Sequence, residues 1–330
     1  MPNKSTATIG NNRRMLWRWL QIVFLVVALA YAAKKVSEQW SELATSAANL
    51  HPNWITLSLA TLIVLVTYGA LIQSWRILVA GWGSELRFFP AVRIWTIANL
   101  GRYIPGKVWS VGALGILAQR EGVSPTAAAG SAILGTLLNI GAGFGVVAFS
   151  SSQILNSVSN GVRFGSIVIS VLSVVGVIAA PWILPPISKW LAKKLGRDLP
   201  ERHLSAPTLW AAVTINLLSW FGYGAAFMLF SKACLPSIGG SFTEFVGVWT
   251  ASYLVGYIVF FAPGGIGARE GAMVAAFTAL GLTSQAEAWM LAFASRLWLT
   301  ILELLPGLVG LALSRKARSA HASPNTDGKL

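Results

Sequence analysis

Fixed charge in this chain gathers at three places inside or beside apolar sequence. Arg102 and Lys107, with Tyr103 next to the first, bracket an Ile104-Pro105-Gly106 turn; Arg269 and Glu270 follow Pro263-Gly264-Gly265-Ile266-Gly267; Arg296 and Glu303 stand in one long apolar run. A helix broken by Pro-Gly leaves backbone N–H groups unpaired at the start of its second half, and with the positive dipole end they form an anion site. Gly264, Gly265 and Gly267 allow another backbone or a headgroup to come close. Arg296 and Glu303 are about two helical turns apart and so share a face. Ionised groups at membrane depth are costly unless paired or wet, which makes both functional candidates. The chemistry this set can do is to hold an anionic headgroup and exchange ion-pair partners. The candidate headgroup-binding residues are Arg102, Tyr103, Pro105, Gly106, Lys107, Pro263, Gly264, Gly265, Gly267 and Arg269, with Glu270, Arg296 and Glu303 as an intramembrane ion-pair network. A plainer reading stands beside it. The glycines then serve helix packing, Arg102 and Lys107 mark a cytoplasmic loop, and Arg296 or Glu303 form inert salt bridges with the two turns.

Other chemistries find little material. Acid-base, nucleophilic or metal catalysis calls for His, Cys or clustered carboxylates. His51, His203 and His321 fall in loops or tails, Asp198 and Asp327 are placed in the cytoplasm, and Cys234 is the single cysteine. We expect no catalytic residues, no metal and no cofactor. The acids Glu121, Glu270 and Glu303 near the turns or in the last span suit a proton-coupled carrier better than a catalytic dyad. Asn99, Asn139 and Asn216 are expected to make hydrogen bonds between helices.

The elements that must position these groups are membrane helices. With 55% hydrophobic and 11% charged residues over 330 positions, the chain cannot cover its apolar surface with polar groups, and lipid has to be its solvent. Runs long enough to cross a hydrocarbon layer of roughly 30 Å are Met15–Ala33, Trp54–Val79, Thr126–Phe149, Phe164–Leu184, Pro207–Phe230 and Ala286–Leu313. Between them, Pro90–Leu100, Val108–Ala118 and Gly271–Leu280 are too short to cross, while Phe242–Ala262 is long enough. We read 88–120 and 242–281 as re-entrant hairpins, tolerated at depth where protein or a wet cavity surrounds the turn. Paired tilted spans are the alternative. Most of the 25 Lys and Arg fall on one side if the N-terminus is inside, which puts both termini in the cytoplasm. The formal net charge of +14 is then a topology and anionic-lipid signal, and no nucleic-acid partner is expected. Arg13, Arg14 and Arg18 before an apolar run also fit a cleaved signal peptide; Lys34 and Lys35 after it favour a retained anchor.

The two broken regions look like copies. Val92-Arg93-Ile94-Trp95-Thr96 matches Val246-Gly247-Val248-Trp249-Thr250, each precedes a Pro-Gly turn, and Gly122-Val123-Ser124 matches Gly281-Leu282-Thr283. One span separates the units, so the second is upside down relative to the first. The expected fold is an all-α polytopic membrane protein with inverted-topology repeats. Residues 1–14 form a cytoplasmic tail, 15–33 an anchor, 54–149 the first repeat, 164–184 a linking span, 207–313 the second repeat and 314–330 a second cytoplasmic tail. The hairpin tips would meet near the midplane.

Asn99-Leu100-Gly101-Arg102-Tyr103-Ile104-Pro105-Gly106-Lys107 together with Pro263-Gly264-Gly265-Ile266-Gly267-Ala268-Arg269-Glu270-Gly271 closely resembles the transmembrane region of lysylphosphatidylglycerol synthases, the flippase-like domain family. The resemblance covers nearly all of the chain after the first span. It implies an inner-membrane protein that moves an anionic, aminoacylated or polyprenyl-linked lipid between leaflets. It maps the family's motif onto Arg102, Pro105, Gly106, Lys107, Pro263, Gly264, Gly265, Arg269 and Glu270. Because the chain ends at Leu330, the soluble aminoacyl-transfer domain of the full-length synthases is expected to be absent, and lysyl transfer is not implied. The partners implied are membrane lipids and a lipid-modifying enzyme or glycosyltransferase. The alternative function is a non-transporting partner that supplies lipid to, or scaffolds, such an enzyme. A small-anion channel is disfavoured, since the charges do not recur along the spans as a ring would require.

Overall fold

Every regular element of the described chain is helical. The computed structural model describes residues 52–103, 108–150, 160–195, 204–259 and 265–321. The helices are α1 (Trp54–Gly81), α2 (Phe88–Asn99) running into a 3-10 turn (Leu100–Tyr103), α3 (Val108–Gln119), α4 (Pro125–Ser150), α5 (Asn160–Leu195), α6 (Ala206–Cys234), α7 (Phe242–Ile258), α8 (Ala268–Ala279) and α9 (Gln285–His321). Five stretches of them are long and apolar enough to span a bilayer: Trp54–Gly81, Pro125–Ser150, Arg163–Ala180, Ala206–Cys234 and Gln285–Ala312. Each matches an expected span to within a few residues. The expected anchor at 15–33 lies outside the described residues.

Local sequence sets the ends. Asn53 Oδ1 accepts from the N–H groups of Ile55 and Thr56 and starts α1, and Ser205 starts α6 in the same way. Ser241 and Glu244 form a reciprocal capping box on α7, which satisfies two donors that the helix cannot. Gly122 and Gly281 both take left-handed φ, 78° and 63°. The residue after each donates five positions back, Val123 to the Ala118 carbonyl and Leu282 to that of Phe277, which is the glycine-ended helix stop. The matching of Gly122 with Gly281 therefore holds down to the hydrogen bonds. The capping serines sit one residue out of step, with Ser124 on α4 and Ser284, not Thr283, on α9.

Two helices outrun the apolar windows that announced them. α5 continues to Leu195 and α9 to His321, where a loop and a tail were expected. Hydrophobicity ends where the bilayer does, whereas a helix ends where its backbone is broken, and Lys and Arg prolong it well. α7 stops at Ile258 and α8 begins at Ala268, earlier than the Gly271 start expected for the second short helix. Gly267, at φ 84°, blocks helix on its N-terminal side and leaves Arg269 and Glu270 in the first turn of α8.

α1 and α6 lie against each other along their length, with Gly222 so close to Thr67 that a Cβ would sit 2.5 Å from its hydroxyl. Small residues allow such approach where lipid supplies no hydrophobic drive between helices. Around this pair the packing is reciprocal. α4 packs on α7 and α9 on α2; α3 packs on α4 and α8 on α9; α2 packs on α3 and α7 on α8. An aromatic core of Phe227, Phe245, Trp249 and Phe277 fills the α6–α7–α8 junction, with Phe227 and Trp249 ring centres 5.0 Å apart. Leu62, Val66, Leu172 and Leu218 are large, apolar and exposed, as lipid-facing residues should be.

Candidate functional site

Between the two short-helix pairs and the inner faces of α4 and α9 lies a cavity of about 410 Å³. The 3-10 turn after α2 brings Arg102 to it, the first turn of α8 brings Arg269, and α9 brings Arg296 and Glu303. Asn99, Tyr253 and Tyr257 add polar edges. Its remaining wall includes Ile133 and Leu137 of α4, and both are exposed. Exposed apolar side chains thus edge the charged interior.

Arg102 Nη1 lies 2.6 Å from Glu303 Oε1, joining the first broken region to α9. Arg296 Nη1 lies 3.5 Å from Glu270 Oε1, joining α9 to the second. The shared face of Arg296 and Glu303 is therefore the seam of α9 that touches both. Glu270 has a second task, since its Oε2 accepts from the N–H of Gly267 at 2.6 Å. That carboxylate occupies the N-terminus of α8, the place at which an incoming anion was expected to bind.

Arg269 does not pair with its neighbour Glu270. Its guanidinium carbon lies 4.5 Å from the ring centre of Trp249 and 4.7 Å from that of Tyr253, so two aromatic faces hold it. The residue is only 6% exposed, and its Nη2 has no hydrogen-bond partner. Buried charge in such a state is costly. Among the described residues, three arginines meet two glutamates here, and Arg269 is the arginine without a carboxylate.

Close backbone approach shapes both turns. A Cβ on Gly265, which has φ 72°, would lie 2.8 Å from Gly256 Cα, and one on Gly101 would lie 2.9 Å from the Ser110 nitrogen. Of the two close approaches expected at the glycines, backbone or headgroup, Gly265 admits the backbone of α7. Pro105, Gly106, Lys107, Pro263 and Gly264 lie outside the described residues, and of Tyr103 only the backbone, in the 3-10 turn, is described. Glu121 pairs with Arg93 away from the cavity, so it leaves the set of cavity acids.

Sequence reasoning missed the aromatic clamp. Trp249, Tyr253 and Tyr257 recur every fourth residue along α7, a spacing that places them on one face. A second chamber of about 80 Å³ adjoins the first, and Arg102, Tyr253, Tyr257 and Glu303 line both. Asn139 and Asn216 behave as expected: Asn139 Nδ2 donates to Asn216 Oδ1 at 3.0 Å, and Asn216 Nδ2 donates to Ser74 Oγ at 2.9 Å, stitching α4, α6 and α1. Asn99 donates to Tyr68, tying α2 to α1. Among the described residues no group of His, Cys, Asp and Glu is placed to hold a metal.

Five apolar helices of spanning length, two of which (α4 and α9) line a charged cavity, define an integral membrane protein with a helical core. The family described as the lysylphosphatidylglycerol synthase TM region matches residues 18–307, and the chain belongs to it, as its two Pro-Gly motifs led us to expect. The family places it among membrane proteins related to lipid handling. No curated protein matches the chain.

Proposed function

We propose that this protein is a flippase-like lipid translocase of an inner membrane, with both termini cytoplasmic, and no enzyme. Its two four-helix units, α1–α4 and α6–α9, are inverted-topology repeats, and each short-helix pair is a re-entrant hairpin, the first entering from the cytoplasm and the second from outside. The reciprocal packing of the units and the shortness of α2, α3, α7 and α8 support this arrangement. A headgroup enters the cavity past Ile133 and Leu137 while its chains remain in lipid. Arg269 supplies the attraction, and the Arg102–Glu303 and Arg296–Glu270 pairs re-partner as the units rock against each other.

The single observation that carries the reading is Arg269, a deeply buried cation without a carboxylate in a cavity with a lateral apolar opening. An anionic group is the acceptor that would also compensate its charge. The test is reconstitution into liposomes with a labelled anionic phospholipid, wild type against Arg269→Ala. Transport by the wild type that is lost in the variant supports the proposal. A protein that retains the lipid tightly yet moves none of it is the scaffold or supplier of a separate synthase or glycosyltransferase, and that result removes the translocase.

A further inference from the structure

Resting on the translocase reading, we infer that the protein carries a proton together with its anionic lipid, and that Glu303 is the group that takes the proton up. The Glu303 carboxylate gains the proton and becomes a neutral acid, while the Arg102 N–H that it held turns to a phosphate oxygen of the lipid. Release of the lipid reverses both changes.

The choice of acid comes first. Glu303 faces Arg102 of the 3-10 turn and shares α9 with Arg296, and α8 contributes Arg269 and Glu270. Tyr68 of α1, Tyr223 of α6, and Tyr253 and Tyr257 of α7 share the inner chamber with Glu303. Phenols and guanidinium groups ordinarily titrate well above neutrality, which leaves the two carboxylates, and these are not alike. Glu270 has both oxygens engaged, Oε1 toward Arg296 and Oε2 on the Gly267 N–H, so a proton there would have to displace one of them. Its side chain is 5% exposed, and it lines neither chamber. The Glu303 side chain is 18% exposed. Among the described residues it is the only acid that lines either chamber, and it lines both.

The inner chamber offers a way in for the proton. At about 80 Å³ it has several times the room that one water requires, about 10–15 Å³. Its four tyrosines are only partly buried, and a phenol hydroxyl both donates and accepts. Charge gives the reason for coupling. Arg102, Arg269 and Arg296 against Glu270 and Glu303 leave one positive charge on the described groups of the site. Arg102 and Arg269 line the same cavity, and Tyr253, whose ring faces Arg269, lines both chambers with Arg102. A phosphate held by Arg269 therefore competes with Glu303 for Arg102. A carboxylate displaced from its guanidinium is a poorly solvated charge without a partner, and taking up a proton is its least costly outcome. The loaded cavity then has the same single positive charge as the empty one, so the two legs of the cycle move equal charge. Linkage makes the effect reciprocal, and a lipid that promotes proton uptake binds more tightly as pH falls.

The probe is phosphatidylglycerol, whose phosphodiester keeps its charge over the range tested. Its affinity for the wild-type protein in nanodiscs of zwitterionic lipid should rise by about tenfold from about pH 8 to about pH 6. Binding in weakly buffered solution should take up as much as about one proton per lipid. In proteoliposomes an imposed pH gradient should change the rate of lipid movement, and a potassium diffusion potential should not. Glu303→Gln should cut the pH dependence of affinity to less than about twofold and abolish the proton uptake, whereas Glu270→Gln keeps the wild-type ratio between the two pH values whatever its absolute affinity. The wild-type measurements decide the matter even where Glu303→Gln does not fold. Lipid movement that follows the potential and ignores pH overturns the coupling and leaves the translocase. A pH response that survives in Glu303→Gln and vanishes in Glu270→Gln overturns the assignment to Glu303. Wild-type protein that moves no phosphatidylglycerol overturns the translocase, and the co-transport with it.

Discussion

The Arg102–Glu303 contact can be weighed against a control within the same protein. Arg93 and Glu121 form a pair of the same residue types, but their side chains are 47% and 28% exposed, against 29% and 18% for Arg102 and Glu303. An exposed pair is screened and typically worth about 0.2–1 kcal/mol. The inner pair, at 2.6 Å, lies beside a low-dielectric wall, so its coupling should reach about 1.5–3 kcal/mol. Neutralising one member is expected to cost more than the coupling suggests, because the other is left charged and poorly solvated. Double-mutant cycles with Arg102→Gln and Glu303→Gln, and with Arg93→Gln and Glu121→Gln, read this out from unfolding in detergent or lipid nanodiscs. The two inner single variants should each be clearly destabilised and the double variant should recover part of the loss. The outer cycle should give little. If the inner coupling is no larger than the outer, the cavity is as wet as bulk solvent and the two ends of the network are not joined through α9.

Further consequences are open to direct measurement. Gly265→Ala combines a left-handed φ with a clash against Gly256 and should cost about 2–4 kcal/mol, whereas Gly112→Ala, where a Cβ meets nothing, should be neutral or slightly stabilising; equal thermal stabilities of the two variants would contradict the close approach of α7 to residue 265. Glu270→Gln weakens both the bond to the Gly267 N–H and the pairing of Arg296, and hydrogen exchange should report earlier opening of the first turn of α8 than of α3. Trp220→Phe removes the 2.9 Å bond to the Asn139 carbonyl and should lower stability by about 1 kcal/mol with no change in lipid selectivity. Arg269→Lys keeps the charge but loses the planar contact with Trp249 and Tyr253, so retained anionic lipid should fall between wild type and Arg269→Ala.

Much of this fold is legible in the sequence because lipid imposes one strong rule: backbone groups must be satisfied inside the segment. Five of the six apolar windows therefore found α1, α4, α5, α6 and α9, and the fixed charges at Arg102, Arg269, Arg296 and Glu303 led to the cavity. Pairing was harder to read. Arg269 and Glu270 are adjacent in sequence, yet adjacent helical residues point about 100° apart, and each turned to a different helix. Nor could hydropathy show that Ile133 and Leu137 would edge a charged cavity, since any lipid-facing Ile or Leu reads alike.

In the repeat arrangement proposed above, the two units do not contribute equally, and the difference bears on function. Counted from the first residue of each helix, Thr136 in α4 corresponds to Arg296 in α9, and both line the cavity. By the same count Gly143 corresponds to Glu303, and it is filled by the Trp220 ring, which lies 2.9 Å from where its Cβ would be. One long helix thus carries a cation and an anion where its counterpart carries a hydroxyl and no side chain. With charge on α9 alone, Glu303 is taken by Arg102 and Glu270 by Arg296, and Arg269 is left to two aromatic rings. The neutral helix is then free to supply the apolar opening through which acyl chains can remain in lipid. In the repeat arrangement proposed above, the site is charged on the α9 side and apolar on the α4 side.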